Sequence, residues 1–280
     1  MVRADTAHPD ARGDSGAAWS VAAARRLLKP AARKAERRFL VEGPQAVREA
    51  KAAGALTGVF ATETAAQAYA DLLDGVRVTV VGDRALAGLT ETVTPQGLVG
   101  VAGSLERTVD DAIPAAPLLV GVLVDARDPG NAGAVIRVAD AAGADAVVFA
   151  STAGGGSVDP HNGKCVRAST GSVFHLPIGV GTLDDTIAVL RDRGLRVLAA
   201  DGDAMPYVDL GAPDAELGRP TAVLFGNEAH GLPAAALDAA DAVVRIPIHG
   251  QAESLNLAVA AALCLYACAR AQRTERAGRS

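Results

Sequence analysis

Short apolar runs alternate along the chain with segments whose apolar positions recur at helical spacing. The strand-type runs cover residues 38–43, 57–62, 77–81, 97–102, 118–125, 146–150, 196–200, 221–225 and 243–246. Segments with helical spacing cover residues 21–34, 44–53, 65–73, 84–89, 131–142, 161–170 and 183–193. Strands that are apolar throughout and alternate with helices predict a mostly parallel sheet covered on both faces. The predicted fold class is therefore α/β.

This pattern falls into two series, which predicts two domains. Residues 104–117 are polar and then rich in Pro and Ala, which is typical of a linker. We expect a smaller domain over residues 21–103 and a larger one over 118–272, with a flexible tail at 273–280. Residues 1–20 lack the apolar stretch of a signal peptide and are predicted to be a disordered leader.

The polar residues of the second series gather where its last strands end. One strand ends in Gly226-Asn227-Glu228 and the next in Ile246-Pro247-Ile248, and Glu253-Ser254-Leu255-Asn256 then opens a long apolar helix. Ser254 occupies the position of an N-cap, and the helix is apolar almost all round, so we expect it to be buried. Ligand sites of α/β proteins lie at such strand ends.

Composition narrows the class of protein. Half of the residues are hydrophobic but only 3% are aromatic, so small aliphatic side chains fill the core. The longest uncharged apolar stretch, residues 255–269, is too short to span a bilayer. Cys264 and Cys268 lie four apart on one helix, which suits packing rather than a disulfide. We expect a soluble cytoplasmic protein without a metal, since no His/Cys spacing suggests a zinc site.

The distribution of charge indicates an anionic partner. The net charge is −5, yet residues 21–51 carry nine Lys/Arg against three Glu. A local basic patch binds phosphate whatever the charge of the whole molecule, although a solvated helix face gives the same pattern. The candidate phosphate contacts in this segment are Arg25, Arg26, Arg33, Lys34, Arg37 and Arg38.

The first strand of the larger domain leads into a loop with candidate chemistry. Asn131 can cap the helix that follows, and Arg137 comes six residues later. Gly130 and Gly133 suit close approach by a ligand, but the Gly-x-Gly-x-x-Gly fingerprint of dinucleotide-binding oxidoreductases is absent. Ser254 has no nearby triad partners, which disfavours a hydrolase.

Together these motifs resemble those of the SpoU/TrmH branch of the SPOUT RNA methyltransferases. The similarity covers residues 115–270 and includes 158–172. Residues 37–103 are similar to the ribosomal-protein-like domain that often precedes that fold. The motifs are Asn131-x-Gly133-x-x-x-Arg137, Leu224-Phe225-Gly226-Asn227-Glu228-x-x-Gly231-Leu232, and Ile246-Pro247-Ile248 with Glu253-Ser254-Leu255-Asn256.

The resemblance implies methyl transfer from S-adenosylmethionine to a ribose 2′-hydroxyl, by a homodimer whose larger domain has a deep trefoil knot. It implies a cofactor pocket at Leu224, Gly226, Ile246, Ile248 and Leu255. The implied catalytic set is Asn131, Arg137, Glu228, Ser254 and Asn256, and Arg167 joins the RNA contacts. Ala229-His230 stand where many relatives have a Gly, which bears on the shape of that loop.

These residue types suit the reaction, because a ribose hydroxyl must be oriented and must lose its proton. Arginine is effectively always protonated, so we interpret Arg137 as a phosphate clamp that also stabilises the developing alkoxide, and not as a base. Glu228 would then orient Arg137 or Asn131. The separate first domain favours 23S rRNA as the substrate, whereas tRNA remains an alternative. A non-catalytic RNA-binding protein on the same fold is the rival from another class.

Overall fold

The computed structural model describes residues 19–277 apart from 154, 213–215 and 228. The helices are α1 (Val21–Arg26), α2 (Pro30–Glu36), α3 (Gly43–Ala52), α4 (Glu63–Ala68), α5 (Ala70–Leu73), α6 (Asp83–Ala87), α7 (Val109–Ala112), α8 (Pro129–Ala142), α9 (Gly163–Ser169), α10 (Leu183–Asp192), α11 (Ala234–Ala239) and α12 (Leu257–Ala277). The strands are β1 (Arg38–Glu42), β2 (Leu56–Ala61), β3 (Val78–Val80), β4 (Leu98–Gly103), β5 (Glu106–Arg107), β6 (Leu119–Val124), β7 (Ala146–Ser151), β8 (Ile178–Thr182), β9 (Arg196–Ala200), β10 (Val208–Asp209), β11 (Thr221–Phe225) and β12 (Ala242–Arg245).

The first sheet contains four described strands in the order β1-β4-β2-β3. β4 pairs antiparallel with β1 and β2, and β2 pairs parallel with β3. Phe39 and Val47 are buried on the side that α3 covers, whereas Phe60 is buried with Leu27 and Leu86 on the other. Pro30 stands at the start of α2, where its missing N–H costs nothing, so residues 21–34 form parts of two helices and not one.

The second sheet has eight described strands in the order β10-β12-β9-β11-β6-β7-β8-β5, and every recorded pair in it is parallel. The central strands β6, β7 and β11 are buried along almost their whole length. Alternate residues of these strands belong to two apolar clusters, one on each face. The predicted parallel sheet covered on both faces is confirmed.

Residues 104–117, predicted as a linker, contribute to the second sheet. β5 pairs with β8, and Val109 and Ile113 of the following turn are buried against it. A strand of two residues has no periodicity of its own and is stabilised only by its partner, so composition could not predict it. The domain limits themselves remain predictions.

The ends of the predicted domains also differ from the described structure. Residues 1–18 of the predicted leader and 278–280 of the predicted tail lie outside the described residues. Ser20, placed in the leader, caps α1 through its side chain. α12 continues to Ala277, beyond the predicted limit at 272, because no helix breaker occurs before Gly278. None of the helices in the described ranges is long and apolar enough to cross a bilayer.

Candidate active site

The loops that carry the three motifs leave one edge of the second sheet. β12, β9, β11 and β6 are successive neighbours and run parallel. The carboxyl ends of parallel strands meet at the same edge, where ligands bind in open α/β sheets. The residues after β6, β11 and β12 therefore share one side of the molecule.

Two asparagines from distant motifs are in contact at this edge. The Nδ2 of Asn256 donates to Oδ1 of Asn131 at 3.0 Å. Asn256 Oδ1 in turn accepts from the backbone N–H of Ala258 at 2.9 Å, so it caps α12. Because the cap fixes Oδ1 of Asn256, its amide nitrogen faces Asn131. The Asn131 oxygen is thus an acceptor for Asn256, and its Nδ2 is the donor end of the amide.

The structure corrects two predicted helix caps. Asp128, and not Asn131, caps α8, because its side chain accepts from the backbone N–H of Asn131 at 2.7 Å. Asn131 lies within the first turn. The cap of α12 is Asn256, whereas Ser254 lies two residues earlier with an exposed side chain. The Asp-Pro pair at 128–129 was the signal for the first cap, since Pro favours the first helical position.

Lys164 is a neighbour of this site that belongs to the family-like segment 158–172 but was not among the predicted site residues. Its Nζ donates to Oδ2 of Asp128 at 2.5 Å, across from α9. That bond, followed by the one from the Asn131 N–H, holds the pKa of Asp128 below its ordinary value. Hydrogen bonds therefore connect Lys164, Asp128, Asn131 and Asn256. No local pattern links a lysine of α9 to a helix cap 36 residues earlier.

The turn after β11 closes tightly on itself. A Cβ added to Gly226 would lie 2.1 Å from the backbone carbon of Gly231, so only glycine fits. Asn227 and Gly231 exchange two backbone hydrogen bonds, at 3.1 and 3.0 Å. The Oδ1 of Asn227 accepts from the N–H groups of Ala229 and His230. The departure from the family pattern at Ala229-His230 is thus accommodated by an asparagine that caps the turn.

Two members of the predicted catalytic set are not joined to the asparagine pair. Glu228 lies outside the described residues. Arg137 is exposed on α8, two turns beyond Asn131, and no hydrogen bond or ion pair joins it to another described residue. Its guanidinium is therefore directed at solvent, which suits a group that meets a substrate.

The residues predicted to hold the cofactor fit a ligand bound through backbone groups. Among the described residues, none of the recorded backbone–backbone hydrogen bonds involves residues 246–255, so a ligand could bind to the C=O groups of this segment and to its N–H groups other than at Pro247, which has none. Ile248 and Leu255 are 39% and 37% exposed, which leaves apolar surface beside these groups. Leu224 is buried within β11 and can contribute only its backbone.

The basic segment divides into exposed and buried members. Arg25, Arg26, Lys34 and Arg37 are exposed, and Arg38 is half-buried with its guanidinium over the Trp19 ring. These five side chains stay candidate RNA contacts, whereas Arg33 is buried.

Arg33 is 6% exposed and is unsuited to RNA contact. Its Nε donates to Asp159 at 2.7 Å, and its Nη1 donates to the carbonyls of Leu27 and Leu28. The prediction for Arg33 is therefore wrong, because its guanidinium forms an ion pair with Asp159 between the two domains. Arg167 has a similar role: it donates to Glu42 at 2.8 Å and lies 3.3 Å from Glu91, so two carboxylates of the first domain already neutralise it.

Glu106, Asp159 and His161 could offer ligand atoms to a metal, since these atoms lie within 4.8 Å of one another. Each of them has a protein partner. His161 Nε2 accepts from the Leu105 N–H at 3.1 Å and its Nδ1 lies 3.3 Å from Glu106, while Asp159 pairs with Arg33. The His161 ring stacks on Phe39 with centroids 4.2 Å apart. We assign this cluster to the domain interface, and the expectation of no metal stays a prediction.

The cysteines do not supply a nucleophile. Burial raises the pKa of Cys165, Cys264 and Cys268 to about 12. A thiol is reactive only as the thiolate. The three side chains are therefore core residues, as the helical spacing of Cys264 and Cys268 predicted.

The fold and the site together define an α/β protein with a polar ligand site at the carboxyl edge of a parallel sheet, beside a separate first domain. Residues 118–266 match the model of the SpoU rRNA Methylase family, and residues 20–100 match that of the MRM3-like substrate binding domain. The chain belongs to the SpoU rRNA Methylase family. The family predicted from the three motifs is confirmed.

Similar proteins agree with this assignment. The chain is 36% identical over 230 residues to 23S rRNA (guanosine(2553)-2'-O)-methyltransferase RlmP of Bacillus subtilis, which covers 81% of this chain and 87% of the relative. An AdoMet-bound rRNA methyltransferase from Sinorhizobium meliloti has a TM-score of 0.78 at 32% identity, covering 89% of this chain and 94% of that one. The SpoU methyltransferase AviRb from Streptomyces viridochromogenes, in complex with AdoMet, has a TM-score of 0.76 at 29% identity, covering 91% and 97%.

Proposed function

We propose that this protein transfers a methyl group from S-adenosylmethionine to a ribose 2′-hydroxyl of 23S rRNA. The observation that carries the proposal is the contact of Asn131 with Asn256 at the edge where the three motif loops of a SpoU-family chain meet. The substrate is inferred from the relative in Bacillus subtilis, whose name specifies 23S rRNA and the 2′-oxygen.

The methyl group would leave the sulfur of S-adenosylmethionine, giving S-adenosylhomocysteine, and would bond to the ribose oxygen, whose proton would pass to solvent. The chain must orient the hydroxyl for this transfer. Asn256 fixes the side-chain amide of Asn131 through its Oδ1, and the Nδ2 of Asn131 would be the donor to the ribose oxygen. A donor at this position stabilises negative charge as it develops on the ribose oxygen. Arg137, whose guanidinium is exposed, binds a neighbouring phosphate and fixes the ribose. The roles of Glu228 and Ser254 in this set remain part of the proposal.

The cofactor is assigned to the loops after β11 and β12. Gly226, Ile246 and Leu255 would contact it through backbone groups, and Ile248 and Leu255 would cover its apolar parts. This assignment is supported by residues 246–255, which make no recorded backbone–backbone hydrogen bond to another described residue. It is also supported by the two similar structures that contain AdoMet.

We also propose that the protein is a cytoplasmic homodimer with a trefoil knot in its larger domain. The dimer is supported by an apolar stripe on α12, where Val259, Leu263 and Tyr266 are 48%, 44% and 51% exposed. Their spacing of four and three residues places them on one face of the helix. α12 begins at Leu257, directly after Asn256, so a partner on this face would lie beside the active site.

The exposed basic residues of the first domain are assigned to the rRNA backbone. Phosphates would be neutralised by Arg25, Arg26, Lys34, Arg37 and Arg38. Replacing any one of these residues would weaken the binding of RNA whatever its sequence. Each lost phosphate contact lowers the salt dependence of log K by about 0.7 to 0.9. Arg33 and Arg167 are left out because their charges are neutralised within the protein.

The test is incubation of the protein with tritiated S-adenosylmethionine and separated, unmodified 23S rRNA and tRNA. We expect alkali-resistant label at one linkage of 23S rRNA, lost in Asn131→Ala and in Arg137→Ala. Arg107→Ala, an exposed arginine on β5, is the matched control and retains activity. Label in tRNA would contradict the substrate, and absence of cofactor binding would contradict the enzyme itself.

A further inference from the structure

The first domain contains a cleft between α4, α6 and the loop before β4. Its volume is about 520 Å³, within the range of small-molecule sites. The polar and aromatic lining comes from Thr62, Thr64, Tyr69, Asp83 and Gln96. No residue of the methyl-transfer site lines it. The cleft lies within residues 20–100, which match the substrate-binding model, so its occupant belongs with the RNA.

The lining is not that of a phosphate site. The eleven residues that line the cleft include neither Lys nor Arg, and Asp83 would repel an anion. Instead, a hydroxyl, a carboxamide, a carboxylate and one aromatic ring line a mainly apolar floor. Proteins read single-stranded RNA with such groups, stacking an unpaired base on an aromatic ring and bonding its edge. The chemistry of the cleft therefore fits a base.

The wall of the cleft tolerates little change. Gly97 has a positive φ of 81°, and a Cβ there would lie 2.6 Å from Cβ of Ala65. Its carbonyl accepts from the N–H of Thr62 at 3.0 Å. The loop therefore packs directly on the first turn of α4, which gives the cleft a defined shape.

The 91–97 loop, helix α9 and the hydrogen bonds between them connect the cleft to the active site. Glu42 accepts from the N–H of Glu91 and from the hydroxyl of Thr92, both at 3.0 Å. The same carboxylate accepts from Arg167 of α9 at 2.8 Å. α9 also carries Lys164, whose partner Asp128 caps the helix of Asn131. A base held by the 91–97 loop is thus kept at a fixed offset from the ribose that Asn131 orients.

An uncovered apolar side chain stands on the same loop. Val93 is 99% exposed, between Thr92, which Glu42 holds, and Pro95, which lines the cleft. An apolar side chain on a loop that is fixed at both ends suits contact with the face of a base or with a ribose.

We propose that this cleft binds one unstacked guanine of the RNA substrate, apart from the nucleotide that is methylated. The N1–H and N2–H groups of guanine form a pair of donors that one carboxylate accepts, which is the role of Asp83. Gln96 bonds the remaining edge and Tyr69 stacks on the ring. The proposal rests on the proposed function, since it takes RNA as the substrate.

The test measures binding of the full-length protein to an unmodified 23S rRNA transcript by filter retention, together with the KM for that transcript. Asp83→Asn keeps one acceptor oxygen but replaces the second by an NH2 donor that opposes a guanine donor, and we expect Kd and KM to rise about tenfold, within the range for a lost bidentate base contact. Asp71→Asn, an exposed carboxylate on α5 outside the cleft, is the matched control and leaves both values unchanged. Affinity for S-adenosylmethionine is expected to stay the same in both variants.

A second measurement does not depend on a variant. The transcript is substituted with 6-thioguanosine and irradiated at long wavelength with the wild-type protein, and the crosslinked peptides are sequenced. Adducts within residues 62–69 or 83–97 support the cleft. Adducts confined to other segments, or an Asp83→Asn variant with wild-type Kd, would overturn it.

The two proposals fail in different ways. Loss of RNA affinity in Asp83→Asn, without methyl transfer by the wild type, would sustain the cleft and refute the methyltransferase. Methyl transfer by Asp83→Asn with the wild-type KM would sustain the methyltransferase and refute the cleft. A wild-type protein that binds no RNA would refute both.

Discussion

The amide nitrogen of Asn256 lies 3.0 Å from the side-chain oxygen of Asn131, across 125 residues of chain. One side chain therefore performs two tasks, since Oδ1 caps α12 while Nδ2 orients Asn131. The cap is a local requirement of the helix. The second contact couples the orientation of Asn131 to the start of α12.

Substitutions at Asn256 can separate these tasks. Asn256→Ala loses the cap, which costs about 1 kcal/mol of the free energy of unfolding. Asn256→Asp keeps the cap but places a second acceptor against Asn131, whose amide then turns its nitrogen inward. We expect a fall in kcat of about 100-fold in both variants, because one donor to a developing oxyanion contributes this much.

The measurements are urea denaturation and single-turnover methyl transfer. The Asn256→Asp variant should unfold at a urea concentration near that of the wild type. The Asn256→Ala variant should unfold at a lower one, because it lacks the cap. An Asn256→Asp variant with wild-type turnover would show that the orientation of Asn131 is irrelevant.

The interface between the domains depends on a buried arginine. Asp159→Asn leaves the Arg33 guanidinium, 6% exposed, without its carboxylate. Removal of one partner from a buried pair costs about 3 to 5 kcal/mol, and we expect the lower end since Arg33 keeps two carbonyl acceptors.

A matched control comes from the same basic segment. Arg26 pairs with Glu36 at 2.9 Å but is 66% exposed, so Arg26→Gln should cost less than about 1 kcal/mol. Chemical denaturation of both variants checks the contrast. Equal, small losses would mean that Asp159 does not hold the domains together.

Much of this architecture follows from patterns within short segments. The parallel sheet could be predicted because β6, β7 and β11 are apolar throughout and each is followed by a helical segment. The three motif loops could be placed at one edge for the same reason.

What could not be predicted depends on contacts between distant segments. The burial of Arg33 requires Asp159, 126 residues away, and no pattern near Arg33 distinguishes it from exposed Lys34. Asp128 was overlooked as a cap because Asn131, three residues later, was an equally suitable residue type. The apolar sequence of α12 predicted burial, yet one face is exposed on the single chain.

His175 gives the domain interface a dependence on pH. Its ring lies 2.7 Å from Asp140 and 3.2 Å from Glu49 of the first domain. The bond to Asp140, with that to Glu49, raises the pKa of His175 above its ordinary 6.5. A raised folded-state pKa stabilises the protein fully below the unfolded value near 6.5, and this contribution is lost as the pH rises through the folded value.

We therefore expect wild type and His175→Gln to differ most in thermal stability below about pH 6.5, the ordinary histidine value, and to converge at alkaline pH. The side chain is 45% exposed, so solvent screening limits the difference to about 1 kcal/mol at most. His249→Gln, an exposed histidine, is the control and should leave the pH profile unchanged. A constant difference from pH 6 to 9 would contradict the ionic role.

The apolar stripe on α12 yields the prediction for assembly. An exposed surface with Val259, Leu263 and Tyr266 on one helix face favours association, because apolar side chains leave water on contact. We expect light scattering to give about twice the chain mass of 28.2 kDa for the wild type and the mass of one chain for Leu263→Arg.

Val80→Arg is the matched control, since Val80 is 60% exposed on β3 of the other domain. It should remain a dimer. If Leu263→Arg also remains a dimer, the stripe is not the interface. If the monomer retains full methyl transfer, a second copy is not needed at the site where α12 begins.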